Sequence, residues 1–284
     1  MRCIGLDFHR VLPRFLLYFR GMLRKNAALT LMTLTATVAL VALVSPRTAQ
    51  PLSYHNFADD RAWLGIPNFG DVASNLAFAI FGVWGLWFLA RLSQEGTSAR
   101  FVDVRERWFY LIVFFGMVLT AAGSSYYHWA PDNQRLVWDR LPMTVVFMSL
   151  VAAMIAERIS VRWALMVWPV LLAIGALSVL QWHWSEQAGR GDLRFYAAVQ
   201  VYAVLVLLVM LFLPPRYTRS SDWGVVVAFY VVAKLLETFD KRVFALGHVV
   251  SGHTLKHIAA GFAGLWILQM LRSRRLLEPS PIPR

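Results

Sequence analysis

Eight stretches of about twenty mainly apolar residues recur along this chain, and a hydrocarbon layer about 30 Å thick needs roughly that much helix to cross it. They fall near 26 to 45, 72 to 91, 107 to 129, 136 to 157, 162 to 182, 195 to 213, 222 to 239 and 252 to 271. None alternates with period two. Lipid cannot satisfy an open backbone, so such runs must be helices rather than barrel strands. The expected fold is therefore an all-α polytopic membrane protein. Composition agrees, since 58% of the 284 residues are hydrophobic and only 15% are charged, far from the balance of a soluble domain. The net charge of +12 does not point to nucleic acid, because Lys and Arg sit in short clusters between apolar runs and form no aromatic-interleaved patch. Basic loops at an inner membrane face account for that pattern. Cys3 is the single cysteine, which excludes a disulfide framework and a cysteine-based metal site. A metal ion here would have to be held by histidines and carboxylates.

The basic residues also set an expected orientation. Arg2, Arg10, Arg14, Arg20, Arg24 and Lys25 precede the first span and hold the N-terminus in the cytoplasm. Threading from there puts Arg91, Arg100, Arg105 and Arg107 inside, then Arg158 and Arg162, then Arg216 and Arg219, and finally Arg272, Arg274, Arg275 and Arg284. Fewer basic residues fall in the opposite loops, mainly Arg47, Arg61, Arg135, Arg190, Arg194, Lys241 and Arg242. Both termini are then cytoplasmic. The first span reads as an uncleaved anchor, because its basic leader is long and no small-x-small motif follows Val44. The expected organisation is a cytoplasmic tail and extra anchor over 1–50, a seven-helix unit over 51–271, and a cytoplasmic tail over 272–284. The short outer loops suit a bacterial inner membrane.

Against this apolar background a few polar groups stand out. Ionisable side chains inside a span cost a few kcal/mol by insertion scales and are functional hypotheses by default. In S-G-H-T-L-K-H-I-A-A-G, His253 and His257 are four apart and share a helix face. In G-S-S-Y-Y-H-W-A-P-D-N-Q-R-L-V-W-D, Ser124 and His128 have the same separation, and A-P-D-N-Q folds the next span back so that Asp139 returns toward His128. On the expected threading all five lie at one depth, near the outer face. Three imidazoles and a solvent molecule make an open tetrahedral site of the kind zinc uses in catalysis. Asp139 could then shuttle a proton and Ser124 could hydrogen-bond a developing oxyanion, chemistry suited to hydrolysis. Each residue also has a plain structural alternative: packing for the histidines and Ser124, and pairing with Arg140 or Arg135 for Asp139. His9, His55, His183 and His248 lack such company, and His183 in Q-W-H-W reads as part of an interfacial aromatic belt.

At these residues the sequence resembles the alkaline ceramidase family, within the CREST group of membrane hydrolases. The shared pattern is Ser124 four before His128, Asp139 eleven after it in D-R-L-P-M, the late pair His253 and His257, and S-N-L at Ser74 to Leu76. The likeness covers about residues 55 to 271, a seven-helix ceramidase-like bundle, with the span at 26 to 45 as an addition. It implies a zinc-dependent amidase that cleaves the N-acyl bond of ceramide-like lipids, with His128, His253 and His257 on zinc and Ser124 and Asp139 assisting. The implied partner is a membrane lipid substrate of the ceramide or phytoceramide type; no nucleic acid or protein partner is implied. The resemblance also brings in calcium, for which Asp59, Asp60, Asn68 and Asp71 are the available oxygens, although hard cations want six to eight. The other reading of Asp59 and Asp60 is a pair with Arg61 in a solvated loop. Arg140 stands where the family has an acidic residue, which opens the question of head-group preference.

Two other classes remain open from the sequence: a heptahelical receptor or sensor that keeps its metal for structure, and an intramembrane serine protease built on Ser124. The absence of G-x-S-x-G counts against the protease. A transporter ranks last, because no interrupted helices recur at matching positions.

Overall fold

The computed structural model describes residues 26–95 and 100–277. The basic leader before Asn26 and the tail beyond Leu277, on which the expected orientation partly rests, lie outside the described residues. Helix dominates and no strand forms among the described residues. The long helices are α1 (Ala27–Val44), α3 (Leu76–Glu95), α4 (Arg107–Trp129), α5 (Asn133–Arg158), α6 (Val161–Gln187), α7 (Arg194–Met210), α8 (Asp222–Thr238) and α10 (Gly252–Ser273). Two short helices, α2 (Phe69–Ala73) and α9 (Asp240–Ala245), sit at helix entrances.

Five segments are long and apolar enough to cross a membrane: α1, α2 with α3, α4, α5 and α6. The architecture fits a multi-pass membrane protein. Of the other three, α7 and α8 are only 17 residues long, and α10 begins with polar side chains at Thr254, Lys256 and two histidines. Large apolar side chains such as Val41, Trp87, Trp163 and Ile174 face outward, the inverse of a soluble surface.

The most enclosed element is α5, packed between α4, α6 and α7, while α10 packs along α8 and α3. Asp132 caps α5 by accepting from the Arg135 amide at 2.7 Å, so the A-P-D-N-Q turn does reverse the chain as its residues predict. The antiparallel pair then closes tightly at one point. A Cβ placed on Gly123 would lie 2.0 Å from the Trp138 carbonyl oxygen, so only glycine permits this approach. Its neighbour Ser124 is thereby set beside Asp139. A Cβ on Gly252 would likewise lie 2.3 Å from the Leu236 carbonyl oxygen, which brings the entrance of α10 against the end of α8.

At the other end of the bundle a buried polar knot ties the loops. Glu157 accepts from Ser220 Oγ at 2.7 Å and from Trp223 Nε1 at 3.2 Å, and Tyr217 donates to Glu106 at 2.8 Å. Arg158 and Arg274, expected from the sequence in basic loops, are buried in this knot instead. Arg274 donates to the Arg100 carbonyl at 2.9 Å, lies 3.8 Å from Glu157 and stacks 4.0 Å from the Tyr217 ring centroid. A buried cation needs such partners, and here they join the ends of five segments.

Helix α1 leans on α7, with Thr35 and Tyr202 hydroxyls 3.0 Å apart, and is mostly exposed apart from residues such as Ala42. Replacing Gly123 with alanine should force α4 from α5 and destabilise the protein by about 1–3 kcal/mol. Thermal unfolding of the detergent-solubilised variant measures this, and an unchanged midpoint would show that the two helices do not depend on that contact.

Candidate metal centre

The rings of His128, His253 and His257 meet in an almost equilateral triangle, with centroids 4.8, 4.9 and 4.9 Å apart. They are 0%, 4% and 3% exposed, so solvent has little access to them from outside the bundle. One ring nitrogen from each lies within 4.8 Å of the others, and among the described residues this is the cluster able to hold a metal ion. The Nε2 atoms of His128 and His253 stand 3.3 Å apart. Two nitrogens about 2.0 to 2.1 Å from one tetrahedral ion are separated by roughly 3.3 to 3.4 Å, so this pair already spans one edge of such a site. Three buried histidines can therefore bind a metal ion here.

His253 and His257 are held by different devices. His253 starts α10, where Ser251 caps the helix by accepting from the Thr254 amide at 2.9 Å. The Asp240 carboxylate accepts from the His253 amide at 2.8 Å and from the Ala58 amide at 3.0 Å, tying the N-terminal loop to the same point. His257 places Nδ1 2.9 Å from Ser74 Oγ. That hydroxyl donates to the Asp71 carbonyl at 3.1 Å, so it accepts from Nδ1–H of His257 and leaves Nε2 as the lone-pair donor. Such an outer partner fixes the tautomer of a metal-binding histidine. Phe57 covers the triangle, its ring 4.6 Å from both His128 and His253.

Ser124, Asp139 and His257 line one cavity of about 420 Å³, with the serine side chain next to the carboxylate. The structure thus brings together all five residues singled out in the sequence. No hydrogen bond joins Ser124 Oγ to a histidine among the described residues, so a serine–histidine nucleophilic pair does not form. From this rim the cavity descends between α3, α4, α5, α7, α8 and α10 past Met117, Phe147, Leu207 and Ile267. Asp139 to Leu150 on α5 spans roughly 16 to 17 Å of helix, which sets the length of the apolar shaft.

Three further ionisable groups at the rim, Lys234, Glu237 and Lys256, did not stand out in the sequence. Lys256 reaches both Glu237 Oε1 and His253 Nε2 at 2.9 Å, and Lys234 closes on the other oxygen of Glu237. Tyr54 adds a donor to Glu237 at 3.2 Å. The signal was available, since a lysine and a glutamate within V-V-A-K-L-L-E-T are charges in an otherwise apolar run. His55, which lacked company in sequence, bridges Tyr127 OH at 2.8 Å and Asn133 Oδ1 at 3.0 Å and so ties the N-terminal loop to α4 and α5.

Of the four residues considered for calcium, Asp59 has both carboxylate oxygens held by Arg61, while Asp71 Oδ2 is buried with no hydrogen-bond partner among the described residues. Arg61 grips Asp59 with two bonds of 2.6 and 2.7 Å and also donates to the carbonyls of His248 and Val249. That guanidinium holds the Asp59 carboxyl below its ordinary range. Asn68 donates to the His128 carbonyl at 2.9 Å, and Asp71 accepts from Ser251 and Thr254 at 3.2 and 2.8 Å. Asp60 is exposed. Arg61 supplies the positive charge that links the N-terminal loop to the segment before α10.

No protein-family model matches this chain, and no curated protein matches it. Its functional reading rests on its own residues. Removing the Ser74 hydroxyl (Ser74→Ala) should weaken metal binding by about 10–100-fold through loss of the His257 tautomer. Competition with a chelator on purified protein measures this, and an unaltered affinity would take Ser74 out of the site.

Proposed function

We propose that this chain is a zinc-dependent intramembrane amidohydrolase that cleaves the N-acyl amide of ceramide-like lipids to a sphingoid base and a fatty acid. The observation that carries the reading is the three-histidine triangle at the head of a long apolar cavity, with a carboxylate and a hydroxyl on the same rim. Nitrogen-only donors with tetrahedral spacing favour zinc over magnesium or calcium. In this reading 51–271 form a seven-helix hydrolase unit, α1 is an added anchor, both termini are cytoplasmic and the rim faces the outside.

His128, His253 and His257 would hold the ion. When bound, zinc supplies a Lewis acid that polarises the amide carbonyl and makes a nearby water easier to deprotonate. The apolar shaft takes the acyl chain and sets the amide at its mouth, where position and orientation are fixed before reaction. Asp139 accepts a proton from the attacking water as the new C–O bond forms. It then gives that proton to the nitrogen as the C–N bond breaks, so the base leaves as a neutral amine. Ser124, beside Asp139, donates to the carbonyl oxygen as negative charge grows there. Lys256 and Glu237 hold each other at the rim.

Zinc content and release of fatty acid from labelled ceramide, measured together on purified protein, test this. His257→Ala should lose both. Asp139→Asn should keep the metal and lose about 10²–10⁴-fold in turnover. Stoichiometric zinc with no turnover of any N-acylated lipid would favour a metal-containing sensor instead.

A further inference from the structure

Arg140 follows Asp139 on α5 and lies on the wall of the same cavity, only 4% exposed. Its guanidinium is caged by aromatic rings, 4.2 Å from Trp182, 4.6 Å from Tyr196 and 5.6 Å from Tyr54. Nη2 donates to Gln50 Oε1 at 2.6 Å, whereas Nη1 is buried with no hydrogen-bond partner. No carboxylate pairs with Arg140 among the described residues. The other two cations on this wall, Lys234 and Lys256, both close on Glu237. Counting Asp139 as well, three positive groups face two negative ones, one positive charge in excess.

A buried arginine left without a counter-charge is costly, and a buried donor without a partner is rarer still. Stacked rings cover the apolar faces of a guanidinium and leave its N–H edge as the place where a ligand can bond. That edge matches the paired oxygens of a carboxylate, phosphate or sulfonate. We propose that Arg140 is a specificity-determining residue that receives an oxyanion on the head group of the lipid whose acyl chain fills the shaft. The substrate class is then an N-acylated lipid with an acidic head, in place of a neutral ceramide. This inference rests on the reading of the cavity as an N-acyl lipid site but does not require hydrolysis.

The test measures binding and turnover separately on the purified full-length protein, using two matched pairs: N-palmitoylglycine against its methyl ester, and ceramide 1-phosphate against ceramide. The acidic member of at least one pair should bind about tenfold or more tighter, as a charge-assisted bond to a buried group implies. The pair that shows it tells carboxylate from phosphate. Arg140→Gln should abolish the preference, and Arg140→Lys should retain part of it. Equal binding of acidic and neutral members by the unaltered protein, or a preference that survives in Arg140→Gln, would overturn the proposal. The unaltered protein decides the question even if Arg140→Gln does not fold. Acidic preference without cleavage would refute the amidohydrolase and keep the subsite, and cleavage without preference would do the reverse.

Discussion

The close approach of α4 to α5, glycine against a backbone carbonyl at Gly123 and Trp138, is the constraint from which the candidate site follows. A side chain at position 123 would hold the two helices apart. Because Ser124 and Asp139 are the immediate neighbours of the contact, it sets the hydroxyl against the carboxylate. One turn further along α4, His128 is carried to the level where α10 enters. The second glycine contact, Gly252 with Leu236, fixes that entrance and places His253 opposite His128.

The buried charges named above gather at the two ends of the bundle, with a mainly apolar shaft between them. The knot of Glu106, Glu157, Tyr217 and Arg274 closes one end, where each charge has a partner. At the other end the charges are gathered around the histidines, and here the accounting is left open at Arg140 Nη1.

Loop segments contribute as much to the candidate site as the helices do. Residues 50–61, between α1 and α2, supply Phe57 over the triangle, Tyr54 to Glu237, Gln50 to Arg140 and the Arg61 clamp. Arg61 joins this segment to the carbonyls before α10. A guanidinium reaches both a carboxylate and carbonyls with directed bonds, so the tie is made by the chain itself.

The sequence by itself determined the helical fold and most of its helix boundaries, because runs of about twenty apolar residues admit no other structure in lipid. It also determined the candidate metal donors, since an i, i+4 pair of histidines and a serine–histidine pair at the same spacing must each share a helix face. It did not show that Lys256 and Glu237 meet, that Arg158 and Arg274 are buried, or that Arg140 lacks a counter-charge. Those depend on which faces of α5, α8 and α10 turn toward one another, and pairing between distant segments leaves no periodic trace in the residues that make it. Only the tertiary structure decided which charges were neutralised, because a charge is paired or unpaired by distance and not by its place along the chain.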